Sequence, residues 1–337
     1  GVIVVTTKSA GSGKITVGFN ANMSISHLAK KLDLMNAAEF ADYSWDRAAA
    51  GSTRSNAAKY FRANFGNPND LDIYQTATTH DWQDEVMGDT PVSYSTNVNI
   101  GGGSEKLHFN TSLTNSEDNG IIMGSSVRRT NLNIKFEVLL SDKLTLRLNP
   151  KFSYRRDTGA GGESIGSGGI IDALQYRPTN GLREFAFWDP STVDPDEEAN
   201  FQYTNPKNDI QTNTQKKHSY DIINQAALEW RPIKGLILET NFSYRMYFTD
   251  QNRFYGPLTK MGTANNKLPV AQITNTHREA YTWTNTANYN FTLNNDHNFS
   301  ALLGSEIQSD QTKTTYQANR YFPREISSDK ALNNMTL

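Results

Sequence analysis

The sequence lacks cysteine altogether, and its six histidines form no pair at a metal-ligand spacing. The absence of cysteine excludes a disulfide scaffold, a Cys-ligated zinc site and a thiol nucleophile. Long hydrophobic runs are also missing, since no uninterrupted run exceeds four residues, whereas a transmembrane helix needs about 20. The net charge is only −2, which argues against nucleic acid as a partner. After these exclusions, the order of apolar and polar residues along the chain is the main source of information.

Strict two-residue alternation of apolar and polar side chains is the strongest pattern present. In the clearest stretch, 236–248, Leu238 and Phe242 fall on one face and Glu239 and Arg245 on the other. Only a strand separates such residues onto two faces. Comparable stretches recur at 15–25, 92–100, 107–113, 132–138, 144–154, 220–230, 281–293 and 299–307. The pattern predicts about nine strands.

Strand length and aromatic content favour a membrane setting. The alternating stretches run for about ten residues, which exceeds the 5–6 typical of soluble strands and matches the 9–11 of a tilted membrane-spanning strand. Aromatic residues make up 11% of the chain. Several stand near strand ends, such as Tyr154, Trp230 and Tyr281, as in an interfacial girdle. The alternative is a soluble antiparallel sandwich or barrel with its apolar faces inside.

The connections alternate between short turns and long loops. Short turns fall at 101–105, 140–143, 231–235 and 294–297, and long loops at about 28–90, 156–217, 249–276 and 311–337. Loops this long are uncommon in compact soluble domains, whereas outer-membrane barrels combine short periplasmic turns with long extracellular loops. We therefore predict an all-β fold, a transmembrane antiparallel β-barrel with long extracellular loops. Within the first loop, 34–50 is predicted to be a helix, with Asn36 as N-cap and Glu39 three residues later.

No residue pattern predicts catalysis. The segment 10–16 is similar to a phosphate-binding loop, but Lys8 stands where glycine is required and Ile15 where Ser or Thr should hold magnesium. The acidic residues Asp194, Asp196, Glu197 and Glu198 offer the oxygen ligands that calcium uses, although a solvated acidic loop is the simpler interpretation. We expect no enzyme activity, no metal site and no cofactor.

Two groups of side chains are candidates for contact with a ligand. The first lies in the loop at 156–217 and consists of Tyr176, Arg183, Phe185, Phe187 and Trp188. Such side chains can stack on and hydrogen-bond a bulky polar ligand; the alternative is that they pack this loop against other loops or a partner. The second group is predicted to line the lumen and set its charge, and consists of Arg147, Lys151, Glu239 and Arg245.

Five short segments carry a family resemblance. They are GVIVVTTK at 1–8, LMNAAEF at 34–40, DWQDEV at 81–86, VNIGGGSEK at 98–106, and NGII followed by RTNLN within 119–133. In this order they resemble segments of the SusC/RagA family of TonB-dependent transporters. The first resembles the end of the family's plug domain, and the fourth its first periplasmic hairpin. The specific resemblance covers 1–155, and beyond that it rests on the rhythm of strands and loops.

The resemblance implies a barrel of about 22 strands, of which this chain supplies about nine. Residues 1–10 would be the last strand of the plug and 11–337 the N-terminal part of the barrel, so we expect the chain to be part of a longer protein. The implied function is TonB-dependent active import of a bulky nutrient, an oligosaccharide or a peptide, across the outer membrane of a Bacteroidetes-like bacterium.

The resemblance also implies partners. They are a SusD-like surface lipoprotein, TonB through a segment absent from this chain, and membrane lipid; the family also forms dimers of transporter–lid pairs. Two other functions stay open on the residues alone. One is a passive porin or secretion-associated outer-membrane barrel, and the other is a soluble all-β carbohydrate-binding module.

Overall fold

One antiparallel sheet of ten strands dominates the computed structural model, which describes residues 13–51, 54–159, 170–182, 205–294 and 297–336. The strands are β1 (Gly13–Ile25), β2 (Val92–Gly103), β3 (Leu107–Asn119), β4 (Ser126–Ser141), β5 (Leu144–Leu148), β6 (Lys151–Gly159), β7 (Asn213–Trp230), β8 (Leu236–Tyr255), β9 (Val270–Leu293) and β10 (His297–Asn319). Neighbours in sequence are neighbours in the sheet, except that β5 and β6 both lie between β4 and β7. The predicted antiparallel all-β fold is confirmed.

The break between β5 and β6 falls at Asn149 and Pro150. Proline has no N–H to give to a strand ladder. Backbone pairing continues around the break, because the Asn149 N–H donates to the Gln225 carbonyl at 2.8 Å and the Pro150 carbonyl accepts from the Ile134 N–H at 3.0 Å. β5 and β6 therefore share one position in the sheet, which is nine positions wide, in agreement with the predicted number of strands.

The later strands reach further towards the long loops than the alternation predicts. β8 continues to Tyr255, β9 begins at Val270 and β10 continues to Asn319. The connections therefore run 26–91, 160–212 and 256–269, rather than about 28–90, 156–217 and 249–276. In the extension at 249–253 polar residues occupy both faces, so the two-residue contrast disappears although the backbone pairing continues.

The register separates side chains onto two faces of the sheet. Phe242 lies beside Ala226 and Trp283, while the next residue, Asn241, lies beside Thr284 on the opposite side. Phe242 and Trp283 are 46% and 45% exposed, so these side chains do not point into a core. We call the side that carries Phe242 the apolar face and the side that carries Asn241 the polar face. The arrangement is that of a wall whose apolar face meets lipid.

The long connections carry the helices. They are α1 (Ala37–Ala49), α2 (Asn56–Phe65), a 3₁₀ helix (Leu71–Gln75), α3 (Trp82–Met87), α4 (Ile170–Gln175), α5 (Pro206–Thr212), α6 (Lys260–Ala264) and α7 (Ser328–Thr336). The predicted helix at 34–50 is confirmed as α1. Asn36 accepts from the Glu39 N–H and the Glu39 carboxylate accepts from the Asn36 N–H, which completes a capping box. No helix in the described ranges is long and apolar enough to span a membrane.

Buried apolar side chains concentrate in the long connections. One cluster joins two of them and consists of Trp82, Val86, Met87, Ala173, Tyr176 and Ile210, with Ile122 and Met123 of the short connection 120–125 packed against it. A second lies within the first connection and consists of Ala41, Phe61, Phe65, Leu71 and Tyr74. We call the segments that form these two clusters, 26–91, 120–125, 170–182 and 205–212, the loop cap. The cap lies at the end of the sheet opposite the short turns.

Candidate functional site

A hub of ion pairs centred on Arg147 lies on the polar face from β4 to β8. The register places Glu137 directly beside Arg147, with Glu229 and Glu239 paired to each other on the next two strands. Arg147 Nε lies 3.5 Å from Glu137, Nη1 donates to Glu239 at 3.2 Å, and Nη2 donates to Glu229. Arg231 Nε also donates to Glu229, at 2.6 Å. Two arginines therefore hold three carboxylates together.

Nearer the loop cap, the arginines of the polar face pair across neighbouring strands. Arg245 of β8 holds Asp221 of β7 through two hydrogen bonds of 2.8 and 2.7 Å. Arg278 of β9 holds Asp310 of β10, with Nε donating to Oδ1 at 3.0 Å. Exposed ion pairs contribute only about 0–1 kcal/mol each to stability. Their main consequence is a fixed pattern of alternating charge along the polar face.

On β1 and β2, and in the middle of β3 and β4, the polar face consists mainly of amides and hydroxyls. Asn97 Nδ2 donates to Thr114 Oγ1 at 2.7 Å, and Asn99 Nδ2 donates to Asn110 Oδ1 at 3.1 Å. The same face also carries Asn20, Asn22, Ser95, Ser112, Asn131 and Asn133. Amides and hydroxyls both donate and accept hydrogen bonds. This half of the polar face is therefore mainly neutral, with charges such as Asp118, Arg129 and Glu137 near the ends of β3 and β4, whereas the other half is dominated by ion pairs.

The four residues that the sequence places in the lumen all lie on the polar face. Arg147 and Glu239 belong to the hub, and Arg245 holds Asp221. Lys151 begins β6 and lies beside Asn133 of β4. Residues from three strands, β5, β6 and β8, thus share one face. That they line a lumen in the complete barrel stays a prediction.

Glu85 of α3 ties two long connections together in the loop cap. Its carboxylate makes a hydrogen bond of 3.0 Å with His80 Nδ1 and accepts another of 3.0 Å from Lys207 Nζ of α5. Partial burial acts to raise the pKa of Glu85, but the hydrogen bonds with His80 and Lys207 outweigh it, so the pKa lies below the ordinary value. Glu85 is therefore ionised at neutral pH and can hold both partners.

Lys31 makes a second link, within the first connection. Its Nζ donates to Asp81 at 3.0 Å and also to Asp84. Asp81 caps α3 by accepting from the N–H groups of Gln83 and Asp84. Burial acts to raise the pKa of Asp81, but the hydrogen bonds from Lys31 and from these N–H groups lower it below the ordinary value. The segment DWQDEV thus forms a helix capped by Asp81, and its residues Asp81 and Asp84 also bind Lys31.

Two further carboxyl groups are buried in the cap. Asp172 of α4 and Asp209 of α5 are 8% and 7% exposed. Burial raises the pKa of both, and the charge of Asp172 adds to the rise at Asp209. Asp209 Oδ1 accepts from the Lys260 N–H at 3.2 Å, which joins α5 to α6. The cap therefore contains carboxyl groups with raised pKa values, Asp172 and Asp209, beside carboxyl groups with lowered pKa values, Asp81 and Glu85.

Tyr176 is the one predicted ligand-contacting residue that falls within the described ranges. It is 8% exposed and meets the Trp82 ring edge-on, with 5.2 Å between ring centroids. The Trp82 indole N–H donates to the Arg177 carbonyl at 2.9 Å, which holds α4 and α3 together. Tyr176 thus packs one loop against another, as in the alternative interpretation, and contact with a ligand stays a prediction. Arg183, Phe185, Phe187 and Trp188 lie outside the described residues.

The acidic residues Asp194, Asp196, Glu197 and Glu198, for which a solvated loop is the simpler interpretation, also lie outside the described residues. Within the ranges that are described, no group of three or more His, Asp or Glu side chains is arranged to hold a metal ion.

Sequence reasoning missed the contacts that join the loops. Glu85 and Lys207 are 122 residues apart, and no local pattern links them. One signal was present in DWQDEV, where Trp82 and Val86 are four residues apart and share a helix face after an Asp N-cap. That spacing indicates a short helix with a buried side, although not its partner.

The chain is similar in sequence to TonB-dependent receptors. It is 26% identical over 320 residues to TonB-dependent receptor P26 of Formosa agariphila, which covers 93% of this chain and 30% of that receptor. It is 32% identical over 178 residues to TonB-dependent receptor SusC of Bacteroides thetaiotaomicron, which covers 51% of this chain and 16% of SusC. The chain thus spans less than a third of the length of these curated relatives. No protein-family model matches it.

The fold is similar to that of solved transporters. The RagAB peptide transporter matches with a TM-score of 0.69 and 17% identity, over 93% of this chain and 36% of that chain. The open-open state of the RagAB peptide importer matches with a TM-score of 0.67 and 18% identity, over the same shares. At these identities the likeness concerns the fold. The sequence and fold comparisons agree: the chain is similar in sequence to TonB-dependent receptors, SusC among them, and has the fold of part of a transporter β-barrel that crosses the bacterial outer membrane.

Proposed function

We propose that the chain forms part of a TonB-dependent importer that carries a bulky nutrient, an oligosaccharide or a peptide, across the outer membrane. The chain covers 30% of receptor P26, so the proposal concerns the full-length protein to which the chain belongs. The proposed role is transport, without catalysis and without a cofactor.

The ordered loop cap is the observation that carries the proposal. Two long connections share one buried cluster around Trp82, and the ion pairs of Glu85 and Lys31 fix their positions. Loops positioned on a rigid scaffold are where binding sites commonly form. A cap of fixed shape at one end of the sheet suits capture of a large solute better than loops without mutual contacts.

The polar face supports a bulky, hydrogen-bonding cargo. Its amide half and its ion-paired half offer donors and acceptors across the full width of the sheet. A polar solute that loses water on entry needs such partners, because unpaired polar groups are costly to desolvate. Sugar hydroxyls and peptide amides can both form hydrogen bonds with these groups, so oligosaccharides and peptides are both candidate substrates.

The proposal includes a SusD-like surface lipoprotein seated on the cap, and TonB acting through a segment outside this chain. Several large apolar side chains of the cap are exposed: Leu32, Leu34, Met35, Tyr43 and Ile73. Exposed apolar side chains of this kind are typical of protein contact surfaces.

Deletion of the full-length gene in its host tests import. We expect the deletion strain to lose uptake of fluorescently labelled oligosaccharides or of labelled peptides, and re-expression of the gene to restore that uptake. Uptake should also stop when TonB is deleted or when a protonophore collapses the proton gradient. Uptake that continues without TonB and without the gradient would show a passive pore instead.

Affinity purification tests the partner. A tagged full-length receptor should copurify a surface lipoprotein, and Leu32→Glu with Met35→Glu should lower the amount recovered. Tyr321→Glu serves as the matched control, because Tyr321 is 90% exposed but lies outside the cap. Equal recovery from all three receptors would show that the partner does not use this part of the cap.

A further inference from the structure

Two rows of side chains cross the apolar face where the strands approach the loop cap. The first row is aromatic, with Tyr154, Tyr220 and Phe248 on β6, β7 and β8. The second row, one step nearer the cap, contains Arg128 of β4, Arg156 of β6 and His218 of β7. We call the second row the outer basic row. At its two ends this row continues into Glu117 of β3 and Asp250 of β8. The apolar pattern of the face therefore ends in aromatic rings and then in charged side chains, with the basic ones in the middle.

Arg128 and Arg156 are direct register partners on adjacent strands. Directly opposed side chains of an antiparallel pair are about 5 Å apart at Cβ, and like charges in this position are destabilising. Both arginines are exposed, and within the described residues neither makes an ion pair. The register partner of Arg128 on β3 is Glu117, whose carboxylate instead accepts from the Tyr94 hydroxyl at 2.7 Å. Glu117 therefore lies on one side of Arg128, whereas Arg156 has Arg128 and His218 as its register partners and no carboxylate among them.

The neighbouring arginines on the same two strands behave differently. Arg129 and Arg155 point to the polar face, where Arg129 lies 3.7 Å from Asp118 and Arg155 holds Asp157 through hydrogen bonds of 2.6 to 3.0 Å. Arg129 and Arg155 on the polar face therefore form ion pairs, whereas Arg128, although Glu117 is its register partner, and Arg156 form none within the described residues. This contrast indicates an external anion for Arg128 and Arg156.

The row lies at the level where lipid headgroups begin. Tyrosine and tryptophan collect at membrane interfaces because their rings are apolar and their polar ends reach water. The Tyr154 hydroxyl makes a hydrogen bond of 2.8 Å with His218 Nδ1, and the rings of Tyr154 and Tyr220 lie 5.0 Å apart. Since long loops mark the extracellular side, the outer basic row meets the outer leaflet.

We propose that the outer basic row binds the phosphate group of an outer-leaflet lipid, with Arg128 and Arg156 as its two main ligands. A guanidinium group matches phosphate geometry with two parallel N–H donors. One phosphate between the two arginines removes their mutual repulsion, while the acyl chains lie along the apolar side chains below the aromatic row. The site requires only the membrane location of the sheet and is independent of the transported substrate.

Titration of the delipidated full-length receptor with monophosphoryl lipid A tests this site. The dissociation constant is measured by native mass spectrometry from detergent. We expect Arg128→Gln with Arg156→Gln to weaken binding about 10- to 30-fold, since each cation near an anionic surface strengthens attachment about five-fold. Arg129→Gln with Arg155→Gln is the matched control, with the same charge change on the opposite face, and should alter binding less than about two-fold.

A thermal measurement separates lipid binding from a folding defect. Without lipid, the Arg128→Gln, Arg156→Gln receptor should unfold at the same or a higher temperature than the parent, because a repulsive pair is gone. Added lipid A should raise the unfolding temperature of the parent and not of the variant. Equal binding of the dephosphorylated lipid, equal loss in the control pair, or full competition by inorganic phosphate would each overturn the proposal.

Discussion

The sheet and the loop cap are held together in different ways. In the sheet, backbone pairing sets the register and large side chains such as Phe242 stay exposed on the apolar face. In the cap, Phe61, Trp82 and Val86 are almost completely buried among other side chains. The sheet therefore depends on lipid to cover its apolar face, whereas the cap has a small core of its own. The two regions should respond to different substitutions.

The largest effect is expected from Trp82→Ala in the cap. The change removes a buried indole, its hydrogen bond to the Arg177 carbonyl and its contact with Tyr176. We expect local opening of the cap to become easier by about 3–5 kcal/mol. Hydrogen exchange of the full-length receptor should show faster exchange in α3 and α4.

Tyr43→Ala is the control for this prediction, because Tyr43 is a large but exposed cap residue. This substitution should lower the free energy of local opening of the cap by less than about 0.5 kcal/mol. If exchange in β7 and β8 rises as much as exchange in α3 after Trp82→Ala, the cap and the sheet form one cooperative unit and the distinction between them is wrong.

Phe242→Arg tests the dependence of the sheet on lipid. Phe242 lies in the middle of the alternating stretch of β8, on the apolar face. Arginine there should cost about 2–4 kcal/mol if the position faces the middle of the bilayer. Reversible urea unfolding in lipid vesicles measures the cost, with Asn241→Arg on the polar face as the control. Equal costs for the two substitutions would show that the faces are assigned wrongly.

Arg147→Gln tests the hub on the polar face. Its loss leaves Glu137, Glu229 and Glu239 close together, with Arg231 beside Glu229 and His108 Nδ1 3.8 Å from Glu137. We expect a cost of about 1–3 kcal/mol in the same unfolding assay, because truncating one partner of a partly buried ion pair leaves charges uncompensated. Asn99→Ala in the amide half loses one neutral hydrogen bond and should cost about 1 kcal/mol or less.

The smallest expected effect is the pH dependence of the cap. The pKa of Glu85 is lowered in the folded protein, so its stabilisation is present above the ordinary carboxyl pKa of about 4.3 and is lost as the pH falls through the folded value. Glu85→Gln should remove this dependence and cost about 0.5–1 kcal/mol at neutral pH. Exchange rates in α3 and α5, corrected for intrinsic pH effects, give the measurement.

Asp172 is the control for this prediction, because its pKa is shifted in the direction opposite to that of Glu85. Burial raises its pKa, so its contribution is most favourable below the ordinary value and declines as the pH rises through the folded value. Asp172→Asn should therefore leave the cap equally or more stable at neutral pH. A loss of stability there would show that the carboxylate form of Asp172 is needed for a contact.

The parts of the fold that depend on near neighbours were predictable from the sequence. Two-residue alternation places Phe242 and Asn241 on opposite faces, and the capping box of Asn36 and Glu39 follows from their three-residue spacing. The polar-face positions of Arg147 and Arg245 follow from the same alternation. Each of these features is set by residues a few positions apart.

The parts that depend on distant residues were not predictable. Nothing near Trp82 indicates that Tyr176 and Ile210 will surround it, and the match between Glu85 and Lys207 spans 122 residues. The strand ends were also missed, because 249–253 is polar on both faces and carries no alternation. Pairing across separate loops is a property of the assembled sheet, which brings the loops together at one end.

The pairing of sequence neighbours allows the sheet to be assembled in the order of the sequence. Each strand finds its partner already in place when strands are added one after another along the chain, since almost every pair is consecutive. The first long connection, however, leaves Trp82 without Tyr176 and Ile210 until β6 and β7 have been added. In that order of assembly, closure of the cap follows the addition of β6 and β7, so a closed cap would mark a wall that already contains β1 to β7.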